Sequence, residues 1–304
     1  MIRNFEEIRS LVLSRDRVRR LGVIGSHETH ALEAAAHAMK DGIVIPVLYG
    51  KKEETIEKWE ALGTGLPVPE IVDCQTDEEI AECAIRAAHD GKVDCLLKGK
   101  VYTQVFLRAV LNKEWGLRTG RQLSHVLLMQ VGAYHKMLFL SDAGMVPYPD
   151  LKTKKDLILN ASDICHKLGY EQPKVAVLAS VERVNPKMPE TVDAHALKEM
   201  NQNGEITGCV VEGPISFDLA ISSESVQIKE YESPVAGDAD ILIVPEITTG
   251  NVLFKALSYF SDMTMGGIIV GARVPISMIS RASSGTDKYN SILVAAAVSG
   301  NDTE

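Results

Sequence analysis

A short stretch near the C-terminus holds residues whose types and spacing could manage an anionic reacting centre. Ser280 and Arg281 are adjacent, and Asp287 and Lys288 follow closely. A hydroxyl donates a hydrogen bond, a guanidinium stabilises negative charge, and a carboxylate accepts a proton. The run 266–279, GGIIVGARVPISMI, reads as a buried strand delivering the Ser–Arg pair into a small-residue loop. Strand ends are often polar for solubility alone, so the set needs partners elsewhere.

The clearest partners lie between Lys98 and Arg121. Lys98, Lys100, Arg108, Lys113, Arg118 and Arg121 face one acid, Glu114, in a chain of net charge −9. Guanidinium forks match phosphate oxygens bidentately. Arg108 and Lys113 fit a solvated helix face equally well. The loop 116–125, GLRTGRQLSH, is different: glycines and Thr119 surround its arginines, and Ser124 and His125 close it. It suits a phosphate or carboxylate. PEITTGN (245–251) places Thr249, Gly250 and Asn251 at a helix start, where backbone amides attract anions, although a plain cap with a glycine turn is the alternative.

Other candidates carry less chemistry. Asp218 in GPISFDLAIS (213–222) is either a helix-start acid favoured by the macrodipole or a substrate contact. His27, Glu28 and His30 form HETH, not HExxH, so capping and packing are expected and no metal site. No glycine-rich nucleotide motif and no GxSxG elbow occurs in its required context.

These groups need a scaffold, and 304 residues suffice for about two domains. The acidic balance argues against nucleic acid or an acidic membrane surface as partner. No apolar run is long enough for a membrane span. The N-terminus reads as an amphipathic charged helix without a signal-peptide core. Five scattered cysteines, never spaced CxxC, read as reduced thiols in a cytoplasmic protein, without disulfides or zinc.

Strand-like runs alternate with helical patterns. LGVIG precedes a helix with Ser26 as N-cap and Gly42 as stop, and Thr76–Glu79 is a capping-box pattern. SHVLLMQV and KMLFLSDAG leave no room for a helix between them and are expected to pair as a hairpin. The rhythm restarts after Pro147, with helices over 153–168 and 190–202 and a last one over 287–299. This alternation predicts an α/β fold: two domains with mostly parallel sheets and an interdomain cleft. The expected boundaries are 1–145 plus 278–304, and 146–277.

LLKGKVYTQVFLRAVLNKEWGLRTGRQLSHV closely resembles a segment of phosphate butyryltransferases, within the wider phosphate acetyl/butyryltransferase family. GPISFDLAIS, SPVAGDADILIVPEITTGN and VPISMISR resemble its later motifs, in order, so the likeness covers roughly residues 20–300. It implies reversible acyl transfer between coenzyme A and inorganic phosphate, through an acyl phosphate and without a tightly bound cofactor. It also implies an isocitrate/isopropylmalate-dehydrogenase-like fold, usually dimeric. The implied roles are Ser280 as hydrogen-bond donor, Arg281 as charge stabiliser and Asp287 as base toward the thiol. Lys98, Arg118, Thr119, Arg121, Ser124, His125, Thr249, Gly250 and Asn251 become candidates for phosphate or coenzyme A. Butyryl-type members often carry an acid two residues after the arginine, where this chain has Ser283; Asp287 matches the acetyl-type spacing. Phosphate acetyltransferase is therefore the alternative. A metal- and NAD-dependent dehydrogenase of the same fold and a non-catalytic acyl-CoA-binding protein are the further ones.

Overall fold

The structure, a computed structural model, describes residues 1–279 and 283–300. The Ser280–Arg281 pair and Ala282 lie outside the described residues. The chain begins with α1 (Phe5–Leu13), β1 (Arg19–Ile24), α2 (Thr29–Lys40), β2 (Val44–Gly50), α3 (Lys52–Ala61), β3 (Glu70–Asp73), α4 (Asp77–His89), β4 (Cys95–Lys98) and α5 (Thr103–Val110). Then come β5 (Ser124–Val131), β6 (Leu138–Ser141), α6 (Leu151–Lys167), β7 (Lys174–Leu178), α7 (Pro189–Gln202) and β8 (Val210–Ile215). Short helices α8 (Phe217–Ile221) and α9 (Ser223–Ile228) lead to β9 (Ile241–Ile243) and α10 (Ile247–Phe260). β10 (Met263–Val270), β11 (Ile276–Ser277) and α11 (Gly285–Val298) complete it.

These elements form two compact units. The first comprises Phe5–Arg121 and the described residues from Gly266 onward; the second comprises Met1–Asn4 and Gln122–Met265. Residues 122–145, expected with the first domain, thus lie in the second unit.

In the first unit the strand order is β3-β2-β1-β4-β11-β10, parallel except for the β10–β11 pair. β1 is flanked by β2 and β4, so successive crossovers leave it in opposite directions. This makes the β1/β4 boundary a topological switch point. Leu21, Val23 and Ile24 of β1 and Leu96 of β4 are fully buried, as strands covered on both faces require. α11 packs against α1 and α2. Its residues Asn290–Val298 are all buried, consistent with a helix apolar nearly all round.

In the second unit the order is β5-β6-β9-β7-β8. The expected hairpin forms, with Leu127 opposite Leu140 and Met129 opposite Leu138, and β6, β9, β7 and β8 run parallel. α6 lies along β6 and β9, and α7 along β7 and β8. The mostly parallel α/β class expected from the sequence is the class observed.

Two local expectations are corrected. The apolar run 266–279 is not one strand: it ends at Val270, turns through Gly271 at φ 84°, and returns antiparallel as β11. Gly271 supplies the left-handed conformation and Pro275 lacks an amide proton, so the run is divided despite its uniform hydrophobicity. Ser26 does not cap α2. It is buried, with its Oγ 2.9 Å from Thr55 Oγ1 and its amide on Tyr49 O, and Glu28 caps instead through the amides of His30 and Ala31. Thr76 and Glu79 form the predicted capping box.

Candidate anion-binding site at the strand ends

In the first unit, a cavity of about 510 Å³ lies beyond the carboxyl ends of β1, β4 and β11. Ligands of open α/β sheets bind at this edge, at the switch point. At this edge backbone meets backbone: the Gly99 amide donates to Ile24 O at 2.8 Å, and the Lys100 amide to Gly25 O at 3.2 Å. Gly25 sits at φ 75°, and a Cβ there would lie 2.6 Å from Lys100 O. Glycine is required at that approach.

Three lysines, Lys98, Lys100 and Lys288, line the cavity with His27 and His30. Two acids join them, and both are engaged by backbone amides. Glu28 caps α2 as described, and Asp77 Oδ2 accepts the Tyr102 amide at 2.9 Å, tying the starts of α4 and α5 together. The remaining wall is apolar or aromatic, from Val101, Tyr102, Met278 and Ile279. His27 is 8% exposed and its Nδ1 is buried without a hydrogen-bond partner. Burial pushes its imidazole below its ordinary pKa, against the pull of Glu54, and the cations Lys100, Lys58 and Lys51 push the same way as burial. A neutral imidazole among lysines, beside apolar side chains, suits a ligand with phosphate groups and an apolar portion.

The basic loop is anchored to the turn between β10 and β11. The Arg273 amide donates to Leu117 O at 2.9 Å, Thr119 Oγ1 donates to Gly271 O at 2.6 Å, and Arg118 bridges to Ala272. Arg118, Thr119 and Arg121 are exposed, as is Arg108 on α5. The loop thus meets the turn that precedes β11, within one unit. Asp287 occupies the third position of α11, where it and Ser284 cap each other.

The other predicted residues lie in the second unit, at the carboxyl ends of β6 and β9. Ser124 is fully buried and its Oγ accepts from Asn160 Nδ2 at 2.9 Å, a core contact. The His125 amide donates to Asp142 Oδ2 at 2.8 Å, and Asp142 Oδ1 accepts the amides of Gly144 and Met145. Gly250 packs where a Cβ would lie 2.7 Å from Asp142 O, and Asn251 Nδ2 donates to Ala143 O at 3.4 Å. The amides expected to receive an anion here already have one: Glu246 accepts from Thr248 N at 2.6 Å and Thr249 N at 2.8 Å. Burial would raise that carboxyl's pKa, but the bonds from Thr249 and Thr248 outweigh it and hold it at about 2. Asp218 is spent on an ion pair with Lys229 at 2.9 Å, beside the Ser216–Glu182 hydrogen bond.

Of the predicted residues, Lys98 lines the cavity and Lys288, neighbour of Asp287, joins it. Lys100 stood in the basic island without a role of its own, Tyr102, Met278 and Ile279 had none, and His27 was expected only to cap and pack. Lys100 and Tyr102 stand within KGKVYTQ, so the basic island was the available signal. Among the described residues, no group of three or more His, Cys, Asp or Glu side chains could hold a metal ion, and no helix is long and apolar enough to cross a membrane.

Fold and cavity define an α/β protein that gathers three lysines about a cavity at its strand ends. Residues 81–296 match the family described as "Phosphate acetyl/butaryl transferase". The phosphate butyryltransferase of Clostridium acetobutylicum is 42% identical over 301 residues, covering 99% of this chain and 100% of the relative. The phosphate acetyltransferase of Thermotoga maritima is 38% identical, covering 93% of this chain and 96% of that one. The crystal structure of a branched-chain phosphotransacylase from Enterococcus faecalis V583 superposes with a TM-score of 0.81 at 31% identity, covering 92% of this chain and 99% of that one. The chain belongs to the phosphate acetyl/butyryl transferase family.

Proposed function

We propose that the chain catalyses reversible transfer of a short-chain acyl group, butyryl or branched, between coenzyme A and inorganic phosphate. The full-length similarity to a phosphate butyryltransferase carries this reading. A phosphate oxygen attacks the thioester carbonyl, the C–S bond breaks, and the proton released by phosphate ends on the departing thiolate. Arg281 and the Ser280 hydroxyl stabilise the oxyanion that forms at the carbonyl. Asp287 carries the proton; in the reverse direction it takes it from the thiol, whose pKa of about 8.5 leaves it mostly protonated at neutral pH.

Lys98, Lys100 and Lys288 bind phosphate groups in the cavity, and Arg118 and Arg121, on the loop held by the β10–β11 turn, offer further cations to coenzyme A or phosphate. Coenzyme A enters as a substrate, no cofactor is tightly bound, and the enzyme works in the cytoplasm as a homo-oligomer. Acetyl transfer is the second reading, supported by the Arg281–Asp287 spacing and the Thermotoga maritima relative.

Thiol release from acetyl-, propionyl-, butyryl- and isobutyryl-CoA, with and without phosphate, tests both readings. Phosphate-dependent release fastest with butyryl- or isobutyryl-CoA is expected. A preference for acetyl-CoA favours the second reading. Tight coenzyme A binding with no phosphate-dependent release from any C2–C6 thioester overturns the enzymatic assignment.

A further inference from the structure

His27 is held firmly by its backbone, yet its ring has no hydrogen-bond partner. The residue before it is pinned: the Ser26 amide donates to Tyr49 O at 3.0 Å, and Ser26 Oγ lies 2.9 Å from Thr55 Oγ1. The residue after it, Glu28, caps α2, and the His27 carbonyl itself accepts from Lys58 Nζ. The imidazole is left in the wall of the lysine-lined cavity with a buried Nδ1 that pairs with nothing among the described residues. A buried polar atom without a partner costs stability. One that persists on so fixed a frame points to a group that the folded chain does not itself supply.

We infer that His27 is a ligand of the anion in this cavity: as a phosphate group enters, the imidazole takes up a proton and donates a hydrogen bond to a phosphate oxygen. This rests on the phosphate-binding reading above and adds to it a residue and a proton. The surrounding charges set the direction. From α3 and its cap come Lys51, Glu54 and Lys58, and Glu54 Oε1 accepts from Lys58 Nζ at 2.8 Å. Across the cavity stand Lys98 and Lys100 after β4 and Lys288 on α11, with Glu28 and His30 at the start of α2 and Asp77 on α4. Glu28 and Asp77 are engaged by backbone amides, and His30 Nδ1 lies 3.1 Å from Glu33 Oε2. Burial, opposed by Glu54 and reinforced by Lys100, Lys58 and Lys51, therefore keeps the ring neutral before an anion arrives. A dianion in the same wall reverses the balance, because a close opposite charge favours the imidazolium and a charge-assisted hydrogen bond holds it.

Affinity for the anion then depends on pH through this ring. Below the imidazole's value in the free protein the ring is already charged, and above its value in the complex it is neutral in both states. Only between the two does binding take up a proton. Burial lowers the first value and the anion raises the second, so the window straddles the ordinary histidine value of about 6.5. Within it, affinity falls by up to about tenfold for each unit that the pH rises.

The test is titration calorimetry with sulfate, a dianion whose own charge is constant across the neutral range, at about pH 6.5 in buffers of different ionisation enthalpy. Wild type and His30→Gln are expected to take up as much as one proton per sulfate, and His27→Gln none. Sulfate affinity of His27→Gln should be flat between about pH 6 and 8, where that of wild type falls. Lys100→Ala locates the ligand and should weaken sulfate about tenfold. Sulfate that binds wild type without proton uptake overturns the role of His27 and leaves the anion reading standing. That outcome needs no His27 variant, so it decides the matter even if His27→Gln fails to fold. Uptake that persists in a His27→Gln chain with an unchanged circular dichroism spectrum overturns it as well. Sulfate that does not bind, or binds Lys100→Ala equally well, overturns the phosphate reading of the cavity itself, leaving acyl transfer to its own assay.

Discussion

Ser284 and Asp287 clasp each other at the start of α11. The Asp287 amide donates to Ser284 Oγ at 3.1 Å, while Asp287 Oδ2 accepts the Ser284 amide at 3.2 Å and its hydroxyl at 2.7 Å. The carboxylate proposed as the base is therefore also a structural cap. Its two duties separate by substitution. Ser284→Ala is expected to lower stability by about 1 kcal/mol in urea unfolding and to leave kcat near wild type. Asp287→Asn keeps a capping side chain but cannot accept the proton, so kcat should fall by about 10²-fold or more with little loss of stability. An Asp287→Asn enzyme with wild-type kcat across the pH range would remove Asp287 as the base.

Binding and turnover should divide between the two groups of cations. Arg281→Ala is expected to lower kcat by about 10²–10³-fold while coenzyme A affinity changes little, because the charge it meets develops only in the transition state. Lys100→Ala is expected to do the reverse, raising KM for acyl-CoA or phosphate about tenfold, equivalent to about 1.4 kcal/mol, at near-normal kcat. Steady-state kinetics with direct coenzyme A titration measure both. An Arg281→Ala variant with near-normal turnover would take that residue out of the mechanism.

Glu246 gives a pH-dependent contribution whose sign follows from its depressed carboxyl. Its value falls from 4.5 to about 2 on folding. The cap contribution, of the order of 1 kcal/mol, is thus fully present above about pH 4.5 and is lost as pH drops toward 2. Glu246→Gln should flatten that part of the stability curve and leave stability at pH 7 lower by less than the whole cap. Urea midpoints from pH 2.5 to 7 check this, and an unchanged acid limb would refute it.

Lys136 anchors the opposite edge of the second unit's sheet. It is 6% exposed, and its ammonium lies 2.7 Å from Asp240 and 2.9 Å from Asp238. Lys136→Met leaves the buried Asp240 carboxylate, 3% exposed, without that ammonium, and a loss of about 3–5 kcal/mol is expected. Adding Asp240→Asn should restore part of it. Equilibrium unfolding of the single and double variants measures the coupling.

The sequence was informative where local pattern decides structure. Between SHVLLMQV and KMLFLSDAG no helix fits, and a hairpin formed; Thr76 and Glu79 met the capping spacing, and the box formed. It misled where the signal lay in one or two residues inside a uniform run, as at Gly271 and Pro275. For PEITTGN the plain cap that stood as the alternative is what forms, with the acid Glu246 as the capping residue. The cavity was least legible. His27 and Lys98 are brought together by the β1–β4 pairing, and strand order is a long-range property that spacing along the chain does not encode.

The crossing of Gly25 and Gly99 has a consequence for substrate choice. The two segments meet backbone to backbone beside the cavity, and a Cβ at Gly25 would lie 2.6 Å from Lys100 O, so that contact offers no side chain to enlarge or shorten. On the proposed function, discrimination between two-carbon and four-carbon groups falls to the apolar lining, where Val101, Met278 and Ile279 can be exchanged one at a time. A single methylene in an apolar pocket is worth about 1–3 kcal/mol of discrimination, so one such substitution is expected to change the ratio of kcat/KM for acetyl- and butyryl-CoA about tenfold or more.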